Sequence, residues 1–525
     1  MSGIERDTDG RLTGAPDRAA RIFGNEVPAA DYARACRSKA RYARRFGDDT
    51  QTVYHLRATS LPVIGDRLGV RDLTIAGVEG QPGVVPLDLL DDVRSTAGDG
   101  VTPVIVGNIR MGFGHYRISM AIASAAHALG YAPYWLDLSG LEGTTCAKVI
   151  SRQNDLYSLG SRLSQRFGLF NRLYWEPLNS EGFRKLSYNA CDQKNAELMA
   201  PPLRDLPRDV PFVGTHVWPA QAAVHAGLTH VVNAIPDNWP MALHLAEGAL
   251  HTVQTPSAYL GYRELRGMAP GRALRPMPAG SLFYTGHYVD DELVRGVRPD
   301  CAGRRERLAG DAPVRLMLSV GGAGAQGELF RSIIRHLLPA VRQGRCALLV
   351  NVGDHRDVWD ALARQIPELR DGGLTTCHFD DFAEVARFAD DALADVRGGV
   401  TGVHAFCDAD IFAAVYATNL LMRCCDALIT KPSELSFYPV PKVMIHRVGG
   451  HEAWGAIRAA EVGDGTYELD TVEETCAMLD DLLACPDLLC GMCDAIERNA
   501  DAGLYDGAYK AVRLAVEGPG ALARD

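Results

Sequence analysis

The chain has 525 residues, of which 47% are apolar and 23% are charged, and its formal net charge is −11. This length and composition predict a globular protein of about three domains, and the acidic balance argues against a nucleic-acid binder, which needs a basic face. The polar N-terminus lacks a signal-peptide core, and no run reaches the roughly 18 apolar residues of a spanning helix, so a cytoplasmic location is expected.

The chain's 13 cysteines follow no repeating frame, which is typical of reduced thiols in a cytosolic protein. The spacing of Cys485, Cys490 and Cys493 matches three ligands of a plant-type iron–sulfur site. The sequence around them is apolar with helical spacing and lacks the small-residue loop of such a site. Buried free thiols are therefore expected, and no metal site is predicted.

Residues 1–100 are predicted to form an N-terminal extension that packs beside the main body. The basic segment 27–47 has helical spacing, and residues 55–80 are typical of short strands joined by turns. A basic helix of this kind is more often a solvated face than a binding site, so no function is assigned to it.

A βαβ unit opens the main body, with a strand at 101–107, a glycine-bearing turn, a helix and a second strand at 131–138. Its glycines at 107, 112 and 114 are spaced G-x4-G-x-G, which differs from the dinucleotide-binding pattern G-x-G-x-x-G. The unit predicts a Rossmann-like domain and makes a dehydrogenase a weak alternative.

An insertion at residues 151–200 is rich in arginine and aromatic residues, with Tyr157, Phe167 and Trp175 among those at helical intervals. Core packing is the commoner reason for such a stripe. The alternative, which stays open, is an amphipathic element that meets a membrane surface or an amphiphilic substrate.

Two further strands end at polar residues, the first at His216 and the second at Asp237, two residues before Trp239. The carboxyl ends of parallel strands share one edge of a sheet, where ligands bind. These side chains are therefore expected close to His115, which lies at the start of the helix after the first strand.

A second sheet is predicted to begin with a strand at 313–320, followed by a turn rich in glycine and a helix. Such a turn allows close backbone approach, and the helix N-terminus offers N–H groups to an anion. The next strand, 346–353, places Asn351 near its carboxyl end, and helices are predicted over 375–391 and 402–425.

The segment 426–455 contains two strand patterns, at 427–430 and 442–448, on either side of a polar turn. Ser433 is expected to cap a short helix that begins at Glu434. A carboxylate held in this way suits a vicinal diol.

This segment resembles the donor-binding part of the GT-B glycosyltransferases related to the peptidoglycan enzyme MurG and to monogalactosyldiacylglycerol synthases. Asp426, Lys431, Glu434, Pro441 and the corner 450–452 match that pattern in order. One departure is that the family's glycine-rich turn between the Lys and the Glu is shortened, which removes backbone N–H groups that would hold a nucleotide diphosphate.

The resemblance covers about residues 101–470 and implies a role for each matching residue. Glu434 would hold the ribose, while the last two residues of the corner would read sugar hydroxyls. The implied donor-side residues are Ser319, Gly321, Gly322, Gly324, Ala325, Gln326, Asn351, Lys431, Ser433, Glu434, Gly450, His451 and Glu452. The candidates for the catalytic base, in no fixed order, are His115, His216 and Asp237. The implied acceptor-side residues are Gly112, Gly114 and Trp239.

The expected fold is α/β of the GT-B type, with two Rossmann-like domains facing a cleft and an N-terminal extension. A charged linker is expected at about 295–312. The predicted units are an extension (1–100), an acceptor domain (101–295) with its insertion (151–200), a donor domain (311–470) and C-terminal helices (471–525).

The resemblance implies a metal-independent glycosyltransferase with a nucleotide-diphosphate sugar, UDP-linked, as donor; no Asp-x-Asp motif follows a strand, and no further cofactor is expected. The acceptor is open, an amphiphilic molecule being one option, and peripheral membrane contact stays open with it. The alternatives are a UDP-sugar epimerase of the same fold and a non-catalytic nucleotide-binding scaffold, which the shortened turn would favour.

Overall fold

The computed structural model describes residues 17–110, 112–166, 181–310, 312–320, 326–395, 397–447 and 449–523. The described part contains two large sheets, each with helices on both faces, and a small hairpin formed by β1 (Arg21–Ile22) and β2 (Asn25–Glu26). Several inner strands are buried along their whole length, which is why their sequences are mostly apolar.

The first sheet has eight strands. They are β3 (Tyr54–Ser60), β4 (Arg71–Val78), β5 (Pro103–Asn108), β6 (Ala132–Asp137), β7 (Phe212–Gly214), β8 (Val231–Ala234), β9 (Leu250–Val253) and β10 (Leu282–Tyr284). Their order across the sheet is β10-β9-β8-β7-β5-β6-β4-β3. All pairs are parallel except β3 with β4, so the N-terminal extension supplies an antiparallel edge to a parallel sheet.

The second sheet has six strands. They are β11 (Val314–Ser319), β12 (Cys346–Asn351), β13 (Thr375–Phe379), β14 (Val403–Cys407), β15 (Ala427–Thr430) and β16 (Lys442–Met444). All are parallel, in the order β13-β14-β12-β11-β15-β16. The helices predicted over 375–391 and 402–425 are wrong in their first residues, because β13 and β14 occupy them.

The helices of the first half surround the first sheet. They are α1 (Ala29–Phe46), α2 (Ile64–Leu68), α3 (Leu89–Thr96), α4 (Phe113–Ala128), α5 (Thr145–Arg166), α6 (Leu186–Ala196), α7 (Val217–Ala226) and α8 (Pro256–Arg263). Within the insertion, α6 is buried although it is polar, because side chains such as Asn189 bond to backbone carbonyls. Phe167, Trp175 and the side chain of Tyr157 lie outside the described part.

The helices of the second half begin with a long one between the domains. They are α9 (Asp291–Ala309), α10 (Gly327–Arg342), α11 (Arg356–Gln365), α12 (Phe382–Ala394), α13 (Ile411–Cys424), α14 (Ala453–Val462), α15 (Val472–Ala484), α16 (Pro486–Asp501) and α17 (Gly507–Glu517). The charged linker expected at 295–312 is largely helix α9, held to the second domain by a buried Arg307–Asp426 ion pair of 2.7 Å. Helix α17 returns to pack on α4 and β8.

Helices α4 and α13 form a contact between the two domains. The ring of Tyr116 stacks on that of Phe412 at 5.6 Å, and the buried Arg117 donates to Oδ1 of Asn419 at 3.3 Å. Since α4 follows β5 and α13 follows β14, the carboxyl ends of both sheets face one interdomain seam. This is the predicted GT-B arrangement of two Rossmann-like domains.

None of the helices in the described ranges combines the length and the apolar character needed to cross a bilayer.

Candidate functional site

The turn after β5 brings the first domain into contact with Glu434 of the second. Gly112, the residue before α4, has φ +83°, a conformation that favours glycine. Gly114 follows in the first turn of α4, where a Cβ atom would lie 3.0 Å from Oε2 of Glu434. The missing side chain at 114 therefore lets the carboxylate of Glu434 approach the helix.

The same turn also meets the loop after β12. Arg110 forms an ion pair with Asp354, Nη2 to Oδ2, at 3.0 Å. A Cβ atom at Gly353 would lie 2.5 Å from the ring of Phe113, so this glycine too allows close approach. Two segments of the second domain thus close over the glycine turn of the first.

His115 and His216 lie side by side beneath this contact. Their ring centroids are 4.8 Å apart, and the rings are nearly perpendicular. Nδ1 of His115 lies 3.0 Å from the carbonyl oxygen of Thr215, which requires a proton on that nitrogen. Nδ1 of His216 accepts from the backbone N–H of Trp218 at 3.2 Å, so its proton is on Nε2.

Both histidines are neutral near pH 7. Burial lowers the pKa of His115, against the opposing effects of the Thr215 carbonyl and the charges of Asp237 and Glu434. Burial also holds the pKa of His216 well below its usual range, and the neighbouring His115 adds to the effect. With these tautomers, Nε2 of His115 can accept a proton and Nε2–H of His216 can donate one.

Asp237 is oriented by a histidine that the sequence patterns did not indicate. Nε2 of His244 lies 3.1 Å from Oδ2 of Asp237, and its Nδ1 lies 2.6 Å from the hydroxyl of Tyr262. The side chain of Asp237 is 37% exposed, whereas that of His244 is 7% exposed, so Asp237 is the member of the pair that solvent reaches. His244 lies in a single 3-10 turn without a recognisable motif, and its spacing from Asp237 carried no signal.

Glu434 begins a short 3-10 helix, Glu434–Phe437, as the sequence predicted. The expected cap by the Ser433 side chain is wrong, because that side chain accepts no hydrogen bond from the first N–H groups of the helix. Its N–H instead donates to the carbonyl of Lys431 at 2.8 Å, and its own carbonyl accepts from Ser436 at 3.0 Å. Backbone bonds, and not a side-chain cap, fix the start of this helix.

The donor-side candidates Gln326 and Lys431 both contact the segment that follows β16. The side-chain amide of Gln326 donates to the carbonyl of His446, and Lys431 forms an ion pair with Glu452. Glu452 also accepts from the backbone N–H of Gly449, at 3.1 Å. Gln326 and Lys431 therefore border the same stretch of chain, at His446 and Glu452 respectively.

The remaining donor-side candidates differ in how they are placed. Ser319 is buried at the end of β11, and Gly450 begins the 3-10 helix Gly450–Glu452. The amide of Asn351 is engaged inside the domain, since it donates to Thr418 at 2.9 Å and accepts from Gly353 at 2.9 Å. The candidates outside the described part are Gly321, Gly322, Gly324, Ala325 and the side chain of His451.

Trp239 lies between a cation and a second indole. The guanidinium of Arg184 is 4.8 Å from the centroid of the Trp239 ring. Trp454, at the start of α14 in the second domain, stacks on Trp239 with centroids 5.9 Å apart and planes 26° apart. Sequence patterns did not indicate Arg184 or Trp454, because neither lies in a motif.

The two mainly parallel sheets and the seam between their domains define the fold class of the chain as GT-B. Residues 21–264 match the family model described as "Domain of unknown function (DUF6937)", and residues 277–516 match that described as "Domain of unknown function (DUF6938)". No curated protein sequence matches the chain.

Several solved structures are similar to the chain over most of its length, at low sequence identity. UDP-GlcNAc 2-epimerase from Neisseria meningitidis bound to UDP-GlcNAc matches at 12% identity and a TM-score of 0.43, over 81% of this chain and 100% of its own. Trehalose 6-phosphate synthase from Burkholderia multivorans matches at 13% identity and a TM-score of 0.40, and a glycosyltransferase from Rickettsia africae at 12% identity and a TM-score of 0.40. Both matches cover 81% of this chain and 100% of the other chain. Membership of the MurG group stays a prediction, and the chemistry of the site is inferred from its own residues.

Proposed function

We propose that the protein is a metal-independent glycosyltransferase that moves a sugar from a UDP-linked donor to an acceptor hydroxyl. The contact between Glu434 and Gly114 is the observation that carries this proposal. It joins the carboxylate proposed to hold the donor ribose to the helix that carries His115. Groups suited to donor binding and to proton transfer thus meet in one seam.

The donor would enter where the second domain holds fixed charges. The ribose hydroxyls would bind Glu434, and the diphosphate would take the place of Glu452 as the partner of Lys431. The N-terminus of α10, which directly follows Gln326, would add backbone N–H groups and the positive end of its dipole. Because Glu434 packs on Gly114, the domains would part to admit the nucleotide.

Asp237 is the base that this proposal favours among the three candidates. His244 orients one carboxylate oxygen, while His115 is held by a backbone carbonyl. In the transfer, the acceptor O–H bond breaks and its proton passes to Asp237 as the oxygen bonds to the sugar C1. The bond from C1 to the diphosphate oxygen breaks with its electron pair, and UDP leaves. Neutral His115 and His216 would line the sugar without repelling a positive C1.

The test is release of UDP from UDP-glucose, UDP-galactose and UDP-N-acetylglucosamine, each with and without a mixture of hydroxyl acceptors. Release that depends on an acceptor is the expected result. Conversion of the donor sugar without an acceptor would identify an epimerase instead. Binding of UDP by calorimetry without turnover of any donor would leave only a nucleotide-binding scaffold.

A further inference from the structure

The stack of Trp239 and Trp454 crosses the seam, and Trp239 lies two residues after the proposed base in the chain. The guanidinium of Arg184 lies over the Trp239 ring, 4.8 Å from its centroid, and the indole of Trp454 stacks on the same ring. Trp454 is 37% exposed, which is unusual for the largest apolar side chain. An exposed indole stacked on a second indole presents an aromatic surface at the mouth of the seam.

The two indoles belong to different domains, so their spacing follows the spacing of the domains. Trp239 follows β8 of the first sheet, and Trp454 begins α14 of the second domain. A ring inserted between two indoles needs about 7 Å between their planes, twice the roughly 3.5 Å contact distance of carbon atoms. The centroids are now 5.9 Å apart. The parting of the domains that admits a donor would therefore also open this slot.

Polar groups surround the same indole. Nε1 of Trp239 is buried and makes no hydrogen bond within the described ranges, and a buried donor without a partner is costly. Asp237 is two residues away in the chain, and the guanidinium of Arg184 lies over the ring. The surroundings combine a flat apolar face with a rim of hydrogen-bonding groups.

We propose that the acceptor is a carbohydrate whose ring enters between Trp239 and Trp454 and presents one hydroxyl to Asp237. A pyranose has a C–H face that packs on an indole and a rim of hydroxyls that can bond to Nε1–H and to carboxylate. A planar aromatic acceptor lacks the rim, and an acyl chain lacks both features. This inference rests on the proposed function, since it names the acceptor class of that same site.

The test compares Trp454→Leu with Trp454→Phe, because leucine keeps apolar bulk and phenylalanine keeps an aromatic face. Acceptor probes are methyl glucoside, maltose and N-acetylglucosamine as sugars, umbelliferone as a planar aromatic and decanol as an aliphatic alcohol. With UDP-glucose as donor, transfer to at least one sugar is expected. For that sugar, Trp454→Leu should raise the acceptor KM about tenfold or more, Trp454→Phe threefold or less, and neither should change the donor KM.

Two controls separate stacking from folding. Tyr284→Leu removes an aromatic that is 43% exposed on the edge strand β10, and should leave both KM values unchanged. Thermal unfolding of each variant checks that Trp454→Leu is folded. A Trp454→Leu enzyme with a normal acceptor KM would overturn the proposal, since the stack would then only join the domains.

Binding without transfer separates this inference from the proposed function. Methyl glucoside is titrated in the presence of UDP while tryptophan fluorescence is followed, and Trp454→Phe should lose most of the change. If no sugar is transferred but this change persists, the transferase proposal fails and the carbohydrate site stands. If umbelliferone or decanol is glycosylated and no sugar is, the transferase stands and the carbohydrate site is refuted.

Discussion

The carboxyl ends of the two sheets present different kinds of polar group to the seam. At the first sheet, His115 and His216 are packed against each other and held by backbone groups, and burial keeps both neutral. At the second sheet, Lys431 and Glu452 are charged and paired with each other. One edge therefore carries groups that can exchange protons, and the other carries charges that can exchange partners.

The physical cause of this difference is desolvation. A histidine removed from water loses its charge, because burial penalises the ionised form. A lysine beside a carboxylate keeps its charge and can accept a phosphate in place of that carboxylate. The proposed function accordingly places acid–base chemistry in the first domain and anion binding in the second.

Replacing the proposed base should have the largest effect. Asp237→Asn keeps the shape of the side chain but removes the proton acceptor, so the transfer rate should fall by about 10²–10⁴-fold. The affinity for UDP, measured by calorimetry, should not change. His115→Gln in the same assay is the matched variant for the rival base, and a larger loss there than in Asp237→Asn would reverse the assignment.

Replacing Glu434 should weaken nucleotide binding instead of chemistry. Glu434→Ala should reduce the affinity for UDP by roughly 1–3 kcal/mol, the range for losing hydrogen bonds to a charged group. Calorimetry with UDP measures this, and Glu434→Gln, which keeps the length of the side chain, should lose less. Equal affinity in wild type and Glu434→Ala would refute the ribose role.

The buried histidines of the first sheet should make the protein sensitive to acid. Burial lowers the pKa of His251, on β9, from 6.5 to about 4, and its Nε2 accepts from the N–H of Ala246 at 3.0 Å. Below pH 6.5 the side chain of His251 binds a proton in the unfolded chain but stays neutral in the folded chain. This histidine therefore removes about 1.4 kcal/mol of stability per pH unit as the pH falls from 6.5 towards 4.

His251→Phe tests this directly, because phenylalanine keeps a ring against Phe23 and cannot titrate. Urea unfolding is followed at pH 7.5, 6.5 and 5.5, and the variant is compared with wild type at each pH. The variant should be less stable at pH 7.5 but should lose less stability on acidification. Parallel pH profiles for the two proteins would show that His251 does not titrate as described.

A methyl group at Gly114 should have the smallest effect. In Gly114→Ala the new Cβ would lie 3.0 Å from Oε2 of Glu434, so the carboxylate must shift by a few tenths of an ångström. Forcing it away from its rotamer costs about 0.5–1.5 kcal/mol, which should appear as weaker UDP binding. Gly491→Ala in helix α16 is a control for stability alone, because Gly491 has no positive φ and nothing lies within 4 Å of its Cβ position. An unchanged UDP affinity in Gly114→Ala would show that the packing of Glu434 on Gly114 does not affect nucleotide binding.

The sequence by itself determined the elements whose signals are local. Largely apolar runs predicted β5, β6, β11 and β12, since a strand buried on both faces has few polar positions. Polar residues at the ends of such runs marked the candidates His216 and Asp237, because parallel strands direct their carboxyl ends to one edge. The family resemblance implied the roles of His115 and Glu434.

Only the tertiary structure decided what depends on distant partners. β13 and β14 resembled the starts of helices, and they are strands because β14 pairs with β12 and β13 pairs with β14. Likewise, local sequence cannot encode the approach of Glu434 to Gly114, the His244–Asp237 pair or the stack of the two tryptophans. Each joins segments far apart in the chain, and their meeting follows from how the sheets and domains pack.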